Sequence, residues 1–141
     1  MRIRIILFFL FCFASILNAQ QPAYFMLGEN HFKGVQIYDV IQDKQLNYWF
    51  ATNEGLYIFD FYTYKKIECD EAKSSSVFNF VIDTNGVIYC HNLNNQVFKI
   101  TNKRCSIFYE INENEGSADI SLTIADDNKL LVGAKKIIVL N

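Results

Sequence analysis

IQDKQLNYWFATNEGLYIFD, residues 41 to 60, decides the fold, because its parts return twice further along the chain. The first copy runs from IYDVIQD (Ile37 to Asp43) through YWFAT (Tyr48 to Thr52) to GLYIFD (Gly55 to Asp60). The second runs from VFNFVID (Val77 to Asp83) through VIYCH (Val87 to His91) to QVFKI (Gln96 to Ile100). The third runs from ISLTIAD (Ile120 to Asp126) through KLLVGA (Lys129 to Ala134) to IIVL (Ile137 to Leu140). Asp43, Asp83 and Asp126 anchor the copies at separations of 40 and 43 residues, and Trp49 and Tyr89 share an offset of six from the first two. Some forty residues is the length of four short strands with their turns. One such unit cannot bury its apolar face alone, so stacked copies must supply the core.

No stretch after Gln20 sustains an apolar period of 3.6, whereas short β-branched and aromatic runs bounded by Asn, Gly, Asp and Ser appear throughout. The chain therefore reads as all-β. Strands are expected near 35–42, 48–53, 55–60 and 64–69, then 77–82, 87–91, 96–100 and 105–111, then 119–125, 129–134 and 136–140. Asp83-Thr84-Asn85-Gly86 and Asp126-Asp127-Asn128-Lys129 place turn formers between apolar runs, and Gly55 enters a strand free of the Cβ penalty at positive φ. The architecture that follows is a partial β-propeller of about three four-stranded antiparallel blades: 35–70, 77–111 and 119–141, the last one strand short. Residues 20–34 lead in. A propeller ring takes about four to eight blades, so the segment is expected to belong to a longer protein.

Residues 1–19 stand apart. Arg2 and Arg4 precede an uncharged stretch from Ile5 to Leu17, and Asn18-Ala19 offers a small residue before the polar Gln20, Gln21 and Pro22. Thirteen residues fall short of the ~20 that span a bilayer as a helix, so the order is that of a secretory signal peptide cleaved near Ala19. Its removal leaves 122 of 141 residues and takes the formal net charge from −2 to about −4. No basic patch remains for phosphates, which argues against nucleic acid as a partner. Cys69, Cys90 and Cys105 survive in the mature chain, an odd number without the spacing of a disulfide framework. A bridge from Cys69 to Cys105 across consecutive outer strands is geometrically demanding, and all three are expected to be free, packed cysteines.

At the level of motif, Ile41 to Asp60 resembles the two-component regulator propeller repeats of the periplasmic regions of Bacteroidetes sensor histidine kinases. That repeat runs as Asp, turn residues, Gly, an apolar residue, Trp, an aliphatic residue, Gly or Ala, Thr, a short turn, Gly-Leu-Tyr and Phe-Asp. Here Asp43, Trp49, Ala51, Thr52, Gly55, Leu56, Tyr57 and Phe59 hold those positions, with Leu46 where glycine is usual. The second copy keeps Asp83, Gly86 and an aromatic at Tyr89. The third keeps Gly133, puts Leu131 at the aromatic position and has a turn one residue shorter when anchored on Asp126. The stretch around Tyr24 to Glu29 is similar to the LytS-like branch of such kinases. The resemblance implies an extracytoplasmic ligand-sensing segment of a sensor kinase, tethered to the inner membrane in the full-length protein, without catalysis of its own. It also implies the remaining blades of the same polypeptide as partners, together with an extracytoplasmic ligand, glycans being one candidate class.

Against that stand two other readings: part of an exported propeller enzyme acting on glycans, and an envelope scaffold for protein assembly. An enzyme would need carboxylates or cofactor ligands converging from several blades, and no repeated inward polar residue is evident. No phosphate loop, nucleophile elbow or HExxH motif is present, and no cofactor is expected. Trp49, Tyr57 and Phe59 could stack on sugars, but their recurrence marks them as blade core. The three aspartates are expected to cap turns. Cys90 and His91, with His31 as a third ligand, suggest a metal, yet neighbours in a strand point to opposite faces and cannot chelate together.

Overall fold

The computed structural model describes residues 26, 28, 30–112, 114 and 119–141. The expected leader lies outside them. Among the described residues no helix is long and apolar enough to cross a membrane. Strands β1 (Ile37–Gln42), β2 (Tyr48–Thr52), β3 (Gly55–Phe59) and β4 (Tyr64–Ile67) form one sheet in that order. A second holds β5 (Phe78–Ile82), β6 (Ile88–His91), β7 (Gln96–Thr101) and β8 (Arg104–Glu110). A third holds β9 (Ser121–Ile124), β10 (Leu130–Gly133) and β11 (Ile137–Leu140). Within each sheet every strand pairing is antiparallel and between chain neighbours, which makes each sheet a meander. The eleven strands of the described residues fall within two residues of where alternation and turn chemistry place them.

Alternation gives each sheet a forward face, toward the next sheet in sequence, and a backward face. The pairings Ile41↔Trp49↔Ile58 and Ala51↔Leu56↔Ile67 set these side chains on the forward face of blade one. They bury against Phe80, Ile88, Cys90, Phe98 and Ile100 on the backward face of blade two. Blade two repeats the arrangement, with Tyr89 and Val97 forward against Leu122, Leu130 and Val132 of blade three. The core is therefore two apolar seams between three stacked sheets, and dry burial across them is the main stabilising term.

Cys69 and Cys105, expected free, form a disulfide with Cα atoms 4.7 Å apart. Stacking brings the end of the outer strand of blade one beside the start of β8, where the two residues also form a parallel bridge. The sequence separation of 36 is almost one repeat, so the register of blade on blade creates a proximity that spacing alone does not reveal. Cys90 is the odd thiol, and it is buried in the first seam.

The third anchor is also displaced. Asp43 and Asp83 each precede a three-residue hairpin loop closed by the amide of Asp43 on the carbonyl of Asn47 and that of Asp83 on the carbonyl of Val87. In blade three the same bonds run from Ala125 to Lys129, so Ala125 holds the position and Asp126 sits one step into the turn. Counted from Ala125, the turn has the same length as the others and Leu131 keeps the offset of six. The left-handed residue of each loop is then Leu46 (φ 69°), Gly86 (φ 87°) and Asn128 (φ 63°). Gly and Asn tolerate that conformation, whereas for an ordinary L-residue it costs roughly 1–2 kcal/mol. Leu46 is 60 % exposed and has little packing to lose. Leu46→Gly is expected to leave stability unchanged or raise it by up to about 1 kcal/mol despite the added chain entropy, as measured by urea unfolding. A loss above about 1 kcal/mol would show that the Leu46 side chain carries packing energy.

Candidate functional site

Blade one is organised from Asp43. Its Oδ1 accepts the amides of Gln45 and Asn47, both at 2.9 Å, and its Oδ2 accepts Asn47 Nδ2 at 2.8 Å and the Trp49 indole N–H at 2.9 Å. The offset of six thus has a physical reason: the turn carboxylate is the hydrogen-bond partner of the indole in the seam. Asp83 accepts the amides of Asn85 and Val87, both at 2.8 Å. Tyr89 has no ring N–H to offer it; burial first, and the Asp83 charge second, push the Tyr89 hydroxyl pKa up. Asp43 and Asp83 do cap turns, as the residues imply, and Asp43 does more.

Thr52 caps the next turn, donating to the Gly55 carbonyl at 2.8 Å and accepting the Glu54 amide at 3.1 Å. Gly55 has φ 122°, outside the comfort of other residues. Leu56 is fully buried in the first seam. Tyr57 and Phe59 belong to the backward face, where Phe59 stacks on Tyr64 at 4.2 Å and Tyr57 lies half-buried. Gly133 pairs with Ser121, whose Oγ would stand 2.5 Å from a Cβ at that position. The twelve motif residues therefore do not converge on one pocket. Asp43, Trp49 and Gly86 alone among them line a groove of about 480 Å³ between blades one and two, together with Asn85, Thr101 and Lys103. Trp49 is only 2 % exposed there, so it offers no open platform for a sugar ring.

Two polar systems escape the motif. On the first strands, Asp39 Oδ2 accepts the Phe80 amide of the next blade at 2.7 Å, and Asn79 Oδ1 accepts the Leu122 amide of the next at 2.6 Å. Asp39 and Asn79 each stand four residues before their turn anchor, and Ser121 stands four before Ala125. A repeated polar position therefore exists on the first strands, though not a repeated carboxylate or cofactor ligand, and in two blades its acceptor is spent on the next blade. The signal was present as D, N and S at one offset, hidden by the displaced third anchor.

At the strand ends away from the anchor turns, Gln96 is fully buried with its amide saturated. Its Oε1 accepts the Lys73 amide and Asn92 Nδ2, both at 2.8 Å, while its Nε2 donates to Glu110 Oε1 at 2.8 Å and the Glu71 carbonyl at 3.2 Å. The bond from Gln96 Nε2, with the Lys73 ammonium beside it, holds the exposed Glu110 carboxyl below its usual pKa. Asn92 takes the capping role of Thr52 in the longer turn of blade two, accepting from Asn94 and Gln96. His91 is buried beside it and stacks on Phe78 at 5.8 Å; burial pushes its pKa down. Cys90 and His91 face opposite seams, and burial raises the Cys90 thiol pKa. His31 lies on the far side of blade one, stacked on Tyr64 at 4.4 Å.

No protein-family profile and no curated protein matches the sequence. Solved structures do match. The extracellular domain of the putative hybrid two component system BT3049 from B. thetaiotaomicron is similar over 89 % of this chain and 19 % of its own, at 14 % identity and a TM-score of 0.58. The extracellular domain of the putative one component system BT4673 from the same organism is similar over 69 % of this chain and 15 % of its own, at 15 % identity and a TM-score of 0.53. Virginiamycin B lyase from Staphylococcus aureus is similar over 67 % of this chain and 33 % of its own, at 21 % identity and a TM-score of 0.57. This chain spans a third or less of each. At these identities the likeness concerns the fold, and the fold is that of stacked β-propeller blades.

Proposed function

We propose that residues 20–141 are the opening blades of the extracytoplasmic propeller of a two-component sensor, non-catalytic in themselves and working only within a larger ring. The observation that carries this reading is the structural likeness to the BT3049 extracellular domain over 89 % of the chain, in blades built on the Asp43–Trp49–Gly55 motif. The Cys69–Cys105 disulfide supports export, because such bonds persist in oxidising compartments. The sensor acts by offering a ligand different affinities in two arrangements, which is the one way a ligand can shift a conformational equilibrium. Glycans are a candidate ligand class, and the histidine kinase would be encoded downstream.

The likeness to virginiamycin B lyase favours, as a second reading, an exported propeller enzyme. The test is the reading frame after Asn141 combined with the mass of the exported protein. A sensor predicts loss of residues 1–19, more blades, a membrane helix and a kinase domain. More blades followed by a stop codon would overturn the sensor in favour of the enzyme or scaffold, and an intact Met1 on the exported protein would overturn cleavage near Ala19.

A further inference from the structure

The end of the blades that carries the anchor turns presents apolar side chains where turns are ordinarily polar. In an antiparallel meander the first and third turns leave from the same end, so turns 43–47 and 60–63 of blade one stand together. The Phe61 ring lies 5.5 Å from that of Tyr48, the residue after the first turn, and Gln45, Asn85 and Lys103 of neighbouring turns border one groove. Leu46 is 60 % exposed, Phe61 55 % and Tyr62 91 %. Phe61 has φ 68° and Leu46 φ 69°, and no other large apolar residue among the described ones adopts the left-handed conformation. Asp60 fixes the second turn, its Oδ1 accepting the amides of Tyr62 at 3.0 Å and Thr63 at 2.8 Å, while Phe59 props the Phe61 ring at 5.7 Å. A strained backbone that holds an apolar ring half in water gains little for the fold. Strain of this kind, beside clustered exposed apolar groups, points to a second surface that uses them.

Cations flank the two rings. Lys65 follows the aromatic turn on β4, and across the gap to blade two it shares a depression of about 470 Å³ with Lys66, Lys103 and Arg104, against Glu68 and Asp70. Lys66 pairs with Glu68 at 3.6 Å. Lys65, Lys103 and Arg104 are exposed and form no ion pair among the described residues. Lys103 is close enough to Asp60 for its charge to act on that carboxyl, which places it beside the aromatic turn. Lys44, two residues before Leu46, sends its ammonium to the Thr84 carbonyl and not to a carboxylate.

We propose that this end of blades one and two docks on a membrane: Leu46, Phe61 and Tyr62 enter the headgroup region of an anionic phospholipid leaflet, and Lys65, Lys103 and Arg104 contact its phosphates. Aromatic rings beside Lys and Arg are the composition that interfacial binding selects, with the rings at headgroup level and the cations toward anionic lipid. The occupant follows from shape and charge together. The apolar contact points are separate turn tips, which a fluid headgroup layer takes up singly, whereas a stable protein partner needs about 800 Å² of complementary surface. Cations without an ion pair then favour an anionic leaflet over a neutral one. The inference goes beyond the sensor reading and needs only an exported chain, so it stands whether or not a kinase follows.

Photo-crosslinking in the polypeptide as cells export it tests the proposal. Benzoylphenylalanine is placed at Tyr62 or, as the control, at Leu93, which is 60 % exposed in the β6–β7 turn at the opposite end of the blades. Irradiation should join an anionic glycerophospholipid, identified by its mass, to position 62 at least ten times more often than to position 93. Lys65→Glu with Lys103→Glu should lower the yield at position 62 about tenfold. Phe61→Gly, which suits φ 68°, should lower that yield about threefold while leaving the urea midpoint unchanged or raised. Equal lipid yields at the two positions, an adduct at position 62 that is protein and not lipid, or no adduct there would each overturn the proposal. So would a yield at position 62 that neither charge reversal nor Phe61→Gly changes.

Discussion

Replacing Trp49 by alanine is expected to remove about 3–5 kcal/mol of stability, through lost burial and the cavity left in the first seam. The indole is 2 % exposed and packs among the residues of both blades that form that seam. Its N–H also satisfies Asp43 Oδ2, which in the alanine variant loses a buried donor. Trp49→Phe separates the two effects: it keeps most of the apolar volume and loses the hydrogen bond, so its cost should be about 1–2 kcal/mol. Domains of this size are stable by roughly 5–15 kcal/mol, so the alanine variant should move the urea midpoint strongly downward. A loss below about 1 kcal/mol would contradict the placement of Trp49 in the seam.

Removing the Cys69–Cys105 disulfide, as Cys69→Ser with Cys105→Ser, is expected to cost about 3–4 kcal/mol on the chain-entropy estimate for a closed loop of this size. The bond joins residues separated by 36 positions and ties the outer edge of blade one to that of blade two. Reductant should lower the stability of the unsubstituted chain by a similar amount and leave the double variant unaffected. Cys90 does not confuse this experiment, since it is fully buried and burial raises its thiol pKa, disfavouring the reactive thiolate. Identical unfolding curves with and without reductant would show that the bond contributes nothing to holding the blades.

The strands were legible because alternation and turn chemistry are local. Asp43 and Trp49 announced themselves by an offset that recurs, and the structure supplies its cause in a single hydrogen bond. What escaped depends on the stacking of one blade on another. The Cys69–Cys105 proximity and the Asp39 and Asn79 acceptors all join residues from different units, with sequence separations of 36, 41 and 43. The third anchor was misplaced for a related reason: Ala125 holds its turn by backbone bonds alone, and an aspartate one position later attracts the eye. Backward-face aromatics such as Tyr57 and Phe59 share the blade-core signature of Trp49, and only the pairing register separates the two faces.

The central claim is that these sheets are successive blades of a ring that continues beyond the third. Ile137 lies on the third sheet's forward face and is 74 % exposed, and Val139 beside it is 54 % exposed. The direct measurement is the reactivity of an Ile137→Cys thiol toward a membrane-impermeant maleimide, in the polypeptide as cells export it and in residues 20–141 alone. A continuing ring predicts a thiol protected in the exported polypeptide until it is denatured, and labelled at once in the isolated segment. Equal, immediate labelling of both would contradict the account.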